Sequence, residues 1–229
     1  MKILIVSATE NEILPLINSL EVNNTTACGI KDGNIHVDYL ITGIGSVFTT
    51  YQLFRKIHEK EYDFVINAGI AGSFTKKLNI GDVVYVQNEQ FADLGIEDKN
   101  EFYTLFEKGF MQKNQFPFTD AKLINPYIFD FNIKKVSAIT VNTTHGCEKS
   151  IELFKNKFGA DIESMEGAAV FYVCLSEGVK FMEIRSISNY VEERNASNWD
   201  IPLAINNLNK KVLEIIDKIE QENTNWESL

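Results

Sequence analysis

Lys2-Ile3-Leu4-Ile5-Val6 runs through Ser7-Ala8-Thr9 into Glu10-Asn11-Glu12-Ile13-Leu14, and this junction decides the fold. An apolar run of strand length with no alternation suits a strand covered on both faces, and the helical stretch Glu10–Leu20 follows at once. The same alternation recurs along the chain. Strands are expected at Lys2–Val6, His36–Ile41, Phe64–Asn67, Asp82–Gln87, Val136–Val141, Ala160–Glu163 and Phe181–Ile187. Helices are expected at Glu10–Leu20, Val47–Glu59, Glu148–Phe158, Glu166–Glu177 and Pro202–Glu222. In the last, Asp200 is the N-cap, Pro202 lies in the first turn, and Leu208, Val212, Ile215, Ile216 and Ile219 repeat at helical spacing. This pattern implies an α/β fold, a three-layer sandwich in which helices flank a central mixed β-sheet. With no linker or repeat to divide it, the chain reads as one domain over residues 1–229. Residues 221–229 form a polar tail that frays or docks Trp226 on a partner. Residues 99–133, irregular and rich in Phe, Asn and Lys, read as an excursion near the site.

Bulk properties narrow the function. At 229 residues and 45% hydrophobic, the chain has ample material for a core. A net charge of -10 argues against nucleic acid as a partner, and no apolar stretch is long enough to span a membrane. The first residues turn polar too soon for a signal peptide. Cys28, Cys147 and Cys174 have no metal-like spacing and read as free thiols of a reducing cytoplasm. His36, His58 and His145 are scattered, so neither a metal nor a cofactor is expected.

Four strand-to-loop junctions carry unusual residues. Glu10 and Glu12 are either ordinary acids of a first helical turn or include one that turns inward as a general base. Gly43-Ile44-Gly45 and Asn67-Ala68-Gly69-Ile70-Ala71-Gly72-Ser73 either pack tight turns or bring backbone N–H groups to a ligand. Neither matches a dinucleotide or P-loop pattern. The fourth joins Glu163-Ser164-Met165-Glu166-Gly167 to Arg185-Ser186-Ile187-Ser188-Asn189. Glu166 enters an almost wholly apolar helix and needs a partner or a ligand to offset its desolvation. Arg185, on an apolar strand, satisfies a buried acid or carbonyls, or else contacts a ligand.

With these residues in order, the sequence resembles the nucleoside phosphorylase/hydrolase superfamily, and most closely its nucleosidase branch. The resemblance runs from Met1 to about Lys218. It rests on five ordered matches: Gly43–Gly45, Gly69–Gly72, Ile80–Val84, Met165-Glu166 and Arg185–Asn189. It implies that Glu12 activates water, Glu166 binds the ribose hydroxyls, Met165 packs under the sugar and Ile44 lies beside the nucleophile. Trp199 matches an aromatic on a loop that closes over the ligand, and Ile70 and Ser188 complete the binding set. The implied partner is a small purine nucleoside, and the implied assembly a homodimer whose neighbour lends an aromatic to the pocket.

One departure bears on the substrate. Adenine-cleaving members of the branch carry Asp where this chain has Asn189. An amide offers donor and acceptor together, so it can donate to a 6-oxo group and accept from a protonated N7. Phosphorylases hold phosphate with an Arg where Asn67 stands. Phe91–Asp98, Ser188–Asn195 and Trp199–Ile205 also resemble the futalosine hydrolases. The expectation is hydrolysis of futalosine to dehypoxanthine futalosine and hypoxanthine, in menaquinone biosynthesis, with Glu12, Glu166 and Asn189 as catalytic groups. Arg194, Thr143, Thr144 and His145 are candidates to receive the substrate's carboxyphenyl arm. Alternatives are a methylthioadenosine/S-adenosylhomocysteine-type or inosine-type nucleosidase and, in another class, a non-catalytic nucleoside-binding protein.

Overall fold

Strand β1 (Lys2–Ser7) buries both of its faces, as its unbroken apolar run requires. Ile3 and Ile5 point to one side, into a core shared with helices α1 (Glu10–Val22) and α5 (Ile201–Gln221). Leu4 and Val6 point to the other, into a core shared with α2 (Ser46–Glu59) and α4 (Gly167–Glu177). The period-two alternation of a strand thus feeds two separate helix layers. Each such aliphatic side chain contributes about 1.5–3 kcal/mol on burial. In this computed structural model the described residues are 1–22, 35–99, 101–127, 129 and 131–221. Cys28, Trp226 and the expected tail after Gln221 lie outside them.

The remaining elements are β2 (His36–Ile41), β3 (Phe64–Ser73), β4 (Val83–Glu89), β5 (Gly95–Asp98), β6 (Glu101–Thr104), β7 (Leu123–Ile124), β8 (Lys134–Thr140), α3 (Glu148–Phe158), β9 (Ile162–Ser164) and β10 (Phe181–Tyr190). The mixed sheet and its flanking helices are as expected. Closure of the sheet was not expected: β3 pairs β9, β9 pairs β8, β8 pairs β4, β4 pairs β10, and β10 returns to β3. Strands β1 and β2 extend from this closed set as a parallel edge.

β3 is the hinge of the design. β1 lies along it only as far as Asn67, and β9 takes up the same side at Gly72. Between them the backbone from Ala68 to Ala71 faces no strand on that side, so its polar groups need other partners. The strand ends and turns gathered at this gap form the site.

One expectation about the chain's periphery is corrected. The described part of residues 99–133 lines no part of the main cavity. It carries β6 and β7, and its Phe106 and Phe118 pack against the α2–α4 core, so it is structural. The hairpin β5–β6 and the short β7 were missed because their runs are too brief and polar to show a period. Among the described residues no helix is long and apolar enough to cross a membrane.

Candidate active site

A cavity of about 460 Å³ opens at the gap in β3. That is within the usual range for a small-molecule site, roughly 300–1,000 Å³. It lies at the carboxyl ends of parallel strands, where α/β folds collect ligands. The β1–α1 turn supplies Glu12, the β2–α2 turn supplies Ile44, and β3 supplies Ile70. The β9–α4 junction brings Met165 and Glu166, the end of β10 brings Ser188 and Asn189, and the loop before α5 brings Trp199. All eight residues singled out from the sequence therefore line one cavity.

Glu12 is one of the two carboxylates opening α1, and it is the one that turns inward. Its side chain is 8% exposed. Oε2 accepts from the Thr9 N–H at 3.0 Å, the Thr9 hydroxyl at 2.8 Å and the Ser7 hydroxyl at 3.3 Å. The Thr9–Glu12 spacing is that of a capping box, so the helix start itself aims the acid. Oε1 accepts from the Ile70 N–H at 3.1 Å and thereby serves the open edge of β3 in place of a strand. Four donors hold the carboxylate in one orientation at the cavity wall.

Glu166 stands just before α4, with Oε1 accepting from the Gly45 N–H at 3.0 Å. Gly45 has φ 100°, a conformation open to glycine. Its N–H serves the acid. Burial pushes the Glu166 carboxyl above its usual range, against the pull of Arg185 and the Gly45 N–H.

Behind the wall, Arg185 is fully buried and does not line the cavity. Its Nε donates to Glu183 at 2.7 Å, and its Nη1 lies 3.7 Å from Glu166 Oε2. Gly69 makes room for it: a Cβ there would come within 2.2 Å of Nη1 and 3.0 Å of Glu12 Oε1. Burial works against the Arg185 charge, yet Glu183, Glu166 and Glu12 hold its pKa above the usual value. Arg185 is thus the cation that lets two carboxylates share one apolar cavity.

At the far end, the Asn189 amide has a fixed orientation. Nδ2 donates to the Tyr190 carbonyl at 2.9 Å, which can only accept, and Oδ1 accepts from the Ser188 hydroxyl at 2.8 Å. One N–H and one lone pair remain for a ligand.

The family model for the phosphorylase superfamily matches residues 2–219. The chain belongs to the phosphorylase superfamily. Within the superfamily it lies among hydrolases of N-glycosyl bonds. It is 30% identical over 182 residues to a futalosine hydrolase of Acidothermus cellulolyticus, covering 75% of this chain and 71% of that one. A 5'-methylthioadenosine/S-adenosylhomocysteine nucleosidase of Buchnera aphidicola is 27% identical over 98% of this chain and all of its own. In structure, the native futalosine hydrolase of Helicobacter pylori superposes with a TM-score of 0.79 at 20% identity, over 95% of this chain and 98% of that one, and so shares the fold.

This superfamily member also carries site features that the sequence reading missed. Glu163 lines the cavity and is bonded to His145, and Glu89 and Glu183 converge behind it. A Cβ on Gly167 would fall 2.0 Å from Glu89 Oε1 and 2.6 Å from Glu183 Oε1. Burial first, and then the charge of Glu183, pushes the Glu89 carboxyl well above its usual range, and burial raises Glu183 as well, against the pull of Arg185. An acid at position 183 inside an apolar strand was the available signal. Of the candidates for an arm receiver, Thr144, His145 and Arg194 line the cavity and Thr143 does not.

Proposed function

We propose that the chain hydrolyses the N-ribosidic bond of futalosine, giving dehypoxanthine futalosine and hypoxanthine, as a step of menaquinone biosynthesis. The observation that carries this reading is the Asn189 amide, locked by the Tyr190 carbonyl with one donor and one acceptor free at the cavity. That pair suits a 6-oxopurine, and a site built for one hydrogen-bonding pattern rejects its mismatch strongly. Glu12, held by four donors, orients and deprotonates water beneath the anomeric carbon. Glu166 accepts from the 2'- and 3'-hydroxyls, and its charge favours an oxocarbenium-like transition state. Met165, Ile44, Ile70, Ser188 and Trp199 enclose the nucleoside. A carboxylate at the nucleophile's place repels phosphate and favours water.

A second reading, a methylthioadenosine/S-adenosylhomocysteine-type nucleosidase, is favoured by the nearly full-length match to the Buchnera enzyme. The test is chromatography of free base after incubation with futalosine, inosine and methylthioadenosine, with and without phosphate. Phosphate-independent hypoxanthine from futalosine is the expected result. Adenine from methylthioadenosine with futalosine untouched overturns it, and tight binding without base release would mark a non-catalytic binder.

The enzyme acts in the cytoplasm as a homodimer. Support for the dimer comes from α2, where Val47, Tyr51 and Phe54 recur at helical spacing beside Phe48 and Ile44, all exposed. Sedimentation as a monomer at micromolar concentration would count against it.

A further inference from the structure

Asn189, Gly72 and Glu163 are neighbours across three adjacent strands. Asn189 on β10 is in register with Gly72 on β3, and Gly72 with Glu163 on β9. A Cβ at position 72 would lie 3.2 Å from Asn189 Nδ2, so the glycine keeps this end of the cavity open between the amide and the acid. His145 lines the same cavity. Its backbone N–H donates to Glu163 Oε1 at 3.0 Å, and its Nδ1 bonds to Glu163 Oε2. The ring packs on Phe154 with centroids 4.2 Å apart. Nδ1 is therefore committed, and Nε2 is the remaining polar atom of the ring. Of the other charged groups lining the cavity, Arg194 donates its backbone N–H to the Gly146 carbonyl and lays its guanidinium over Trp199, and Glu192 accepts from the Asn198 amide.

The hydrolase reading, on which this inference rests, leaves one proton without a source. A purine that departs from C1' takes the bonding electron pair and needs a proton on a ring nitrogen. The Asn189 amide can hydrogen-bond the base but has no proton to release. Glu12 takes a proton from water and gives none to the base. We infer that His145, oriented by Glu163, is the general acid that protonates the departing purine.

In the step, the Nε2 proton passes to a ring nitrogen of the base as the C1'–N9 bond breaks and its electron pair stays with the base. Water adds to C1' and loses a proton to Glu12. The products are the free base with one added hydrogen and the ribose with a new hydroxyl. The proton on Glu12 returns to His145 through solvent. Before transfer the Glu163 carboxylate pairs with an imidazolium, and after it with a neutral ring still donating from Nδ1. Glu163 is thus a positioning residue.

The test compares two leaving groups, using whichever purine nucleoside the wild-type chain cleaves. One is that nucleoside; the other is its N7-methylated cation, whose base departs neutral with no added proton. p-Nitrophenyl riboside, whose leaving group also needs none, replaces the cation if the methyl is not accepted. His145→Gln is expected to lower kcat on the ordinary substrate by about 100-fold or more, with KM changed little. On the activated substrate it should change kcat by less than about 3-fold. Glu163→Gln should show the same split with a smaller loss, about 10-fold. Equal losses on both substrates would mean a structural role and overturn the inference, as would full activity of His145→Gln. A wild-type chain that cleaves adenine nucleosides sinks the 6-oxopurine reading and leaves this test intact; one that cleaves none sinks both.

Discussion

The side-chain amide of Asn209, on α5, bridges a broken turn of the helix that carries Glu12. Its Oδ1 accepts from the Leu16 N–H at 2.9 Å, and its Nδ2 donates to the Glu12 carbonyl at 2.7 Å. In an uninterrupted helix those two backbone groups would bond each other. Pro15 lies inside α1 and its ring crowds the preceding turn, which opens the helix there. Asn209 fills the opening and ties the acid's backbone to the opposite helix of the same layer.

Asn209→Leu should therefore act at a distance. The substitution leaves a buried N–H and a buried carbonyl unpaired, at a cost of about 1–3 kcal/mol each. Denaturant unfolding should show this loss with an unchanged slope. Turnover should fall by about 10-fold or more, because the carboxylate shifts from its productive position. Wild-type turnover in a destabilised variant would show that Glu12 is held by its own side-chain bonds alone.

Glu12→Gln separates chemistry from folding. The amide keeps the shape of the side chain and can still accept from Thr9 or from Ile70, though not from both. A destabilisation of about 1 kcal/mol, as for a weakened helix cap, is expected in thermal melts. The rate of base release should drop by about 10²-fold or more. A variant that keeps the wild-type rate would remove Glu12 from the mechanism.

The layered fold was legible in the sequence because its signals are long and periodic. β1 reads as a run buried on both faces, and α5 as a stripe from Leu208 to Ile219. Sheet closure was not legible, since it depends on β3 changing partners between Asn67 and Gly72, and no local pattern records a partner. The cavity wall was legible residue by residue because it lies at turns. The shell behind it was not: Asn209 sits on the apolar stripe of α5 with its partners far away along the chain on α1, and Glu183 lies inside an apolar strand, two residues from its partner Arg185. A polar residue on an apolar stripe was the signal to follow.

Glu89 and Glu183 should respond oppositely to the same change. Glu89 in the folded state holds its proton to higher pH than in the unfolded chain. Folded protein therefore binds more protons above the unfolded value, and stability falls as pH rises from about 4.5 through the folded pKa. Glu89→Gln removes that fall, so its unfolding free energy should be flatter with pH and exceed wild type at pH 8. Glu183→Gln leaves Arg185 buried without its anchoring charge and should cost about 3–5 kcal/mol. Paired denaturant curves at pH 5 and pH 8 check both. A Glu89→Gln variant that loses stability at pH 8 would mean that Glu89 is ionised in the folded protein.

Asn189→Asp tests how the base is read. The Tyr190 carbonyl now accepts from Nδ2. An ionised carboxylate in its place would face that carbonyl and the 6-oxo group with lone pairs alone, so the variant must either bind a proton or reject a 6-oxopurine. In the protonated form it can donate to an unprotonated N7 while its other oxygen accepts from a 6-amino group. Release of hypoxanthine should fall by about 10²-fold or more, because a buried acceptor–acceptor contact replaces a donor–acceptor one. Release of adenine from an adenine nucleoside should rise in relative terms, and the measurement is the ratio of the two kcat/KM values before and after substitution. If that ratio stays fixed while both rates fall, Asn189 shapes the cavity without reading the base, and the 6-oxopurine assignment loses its main support.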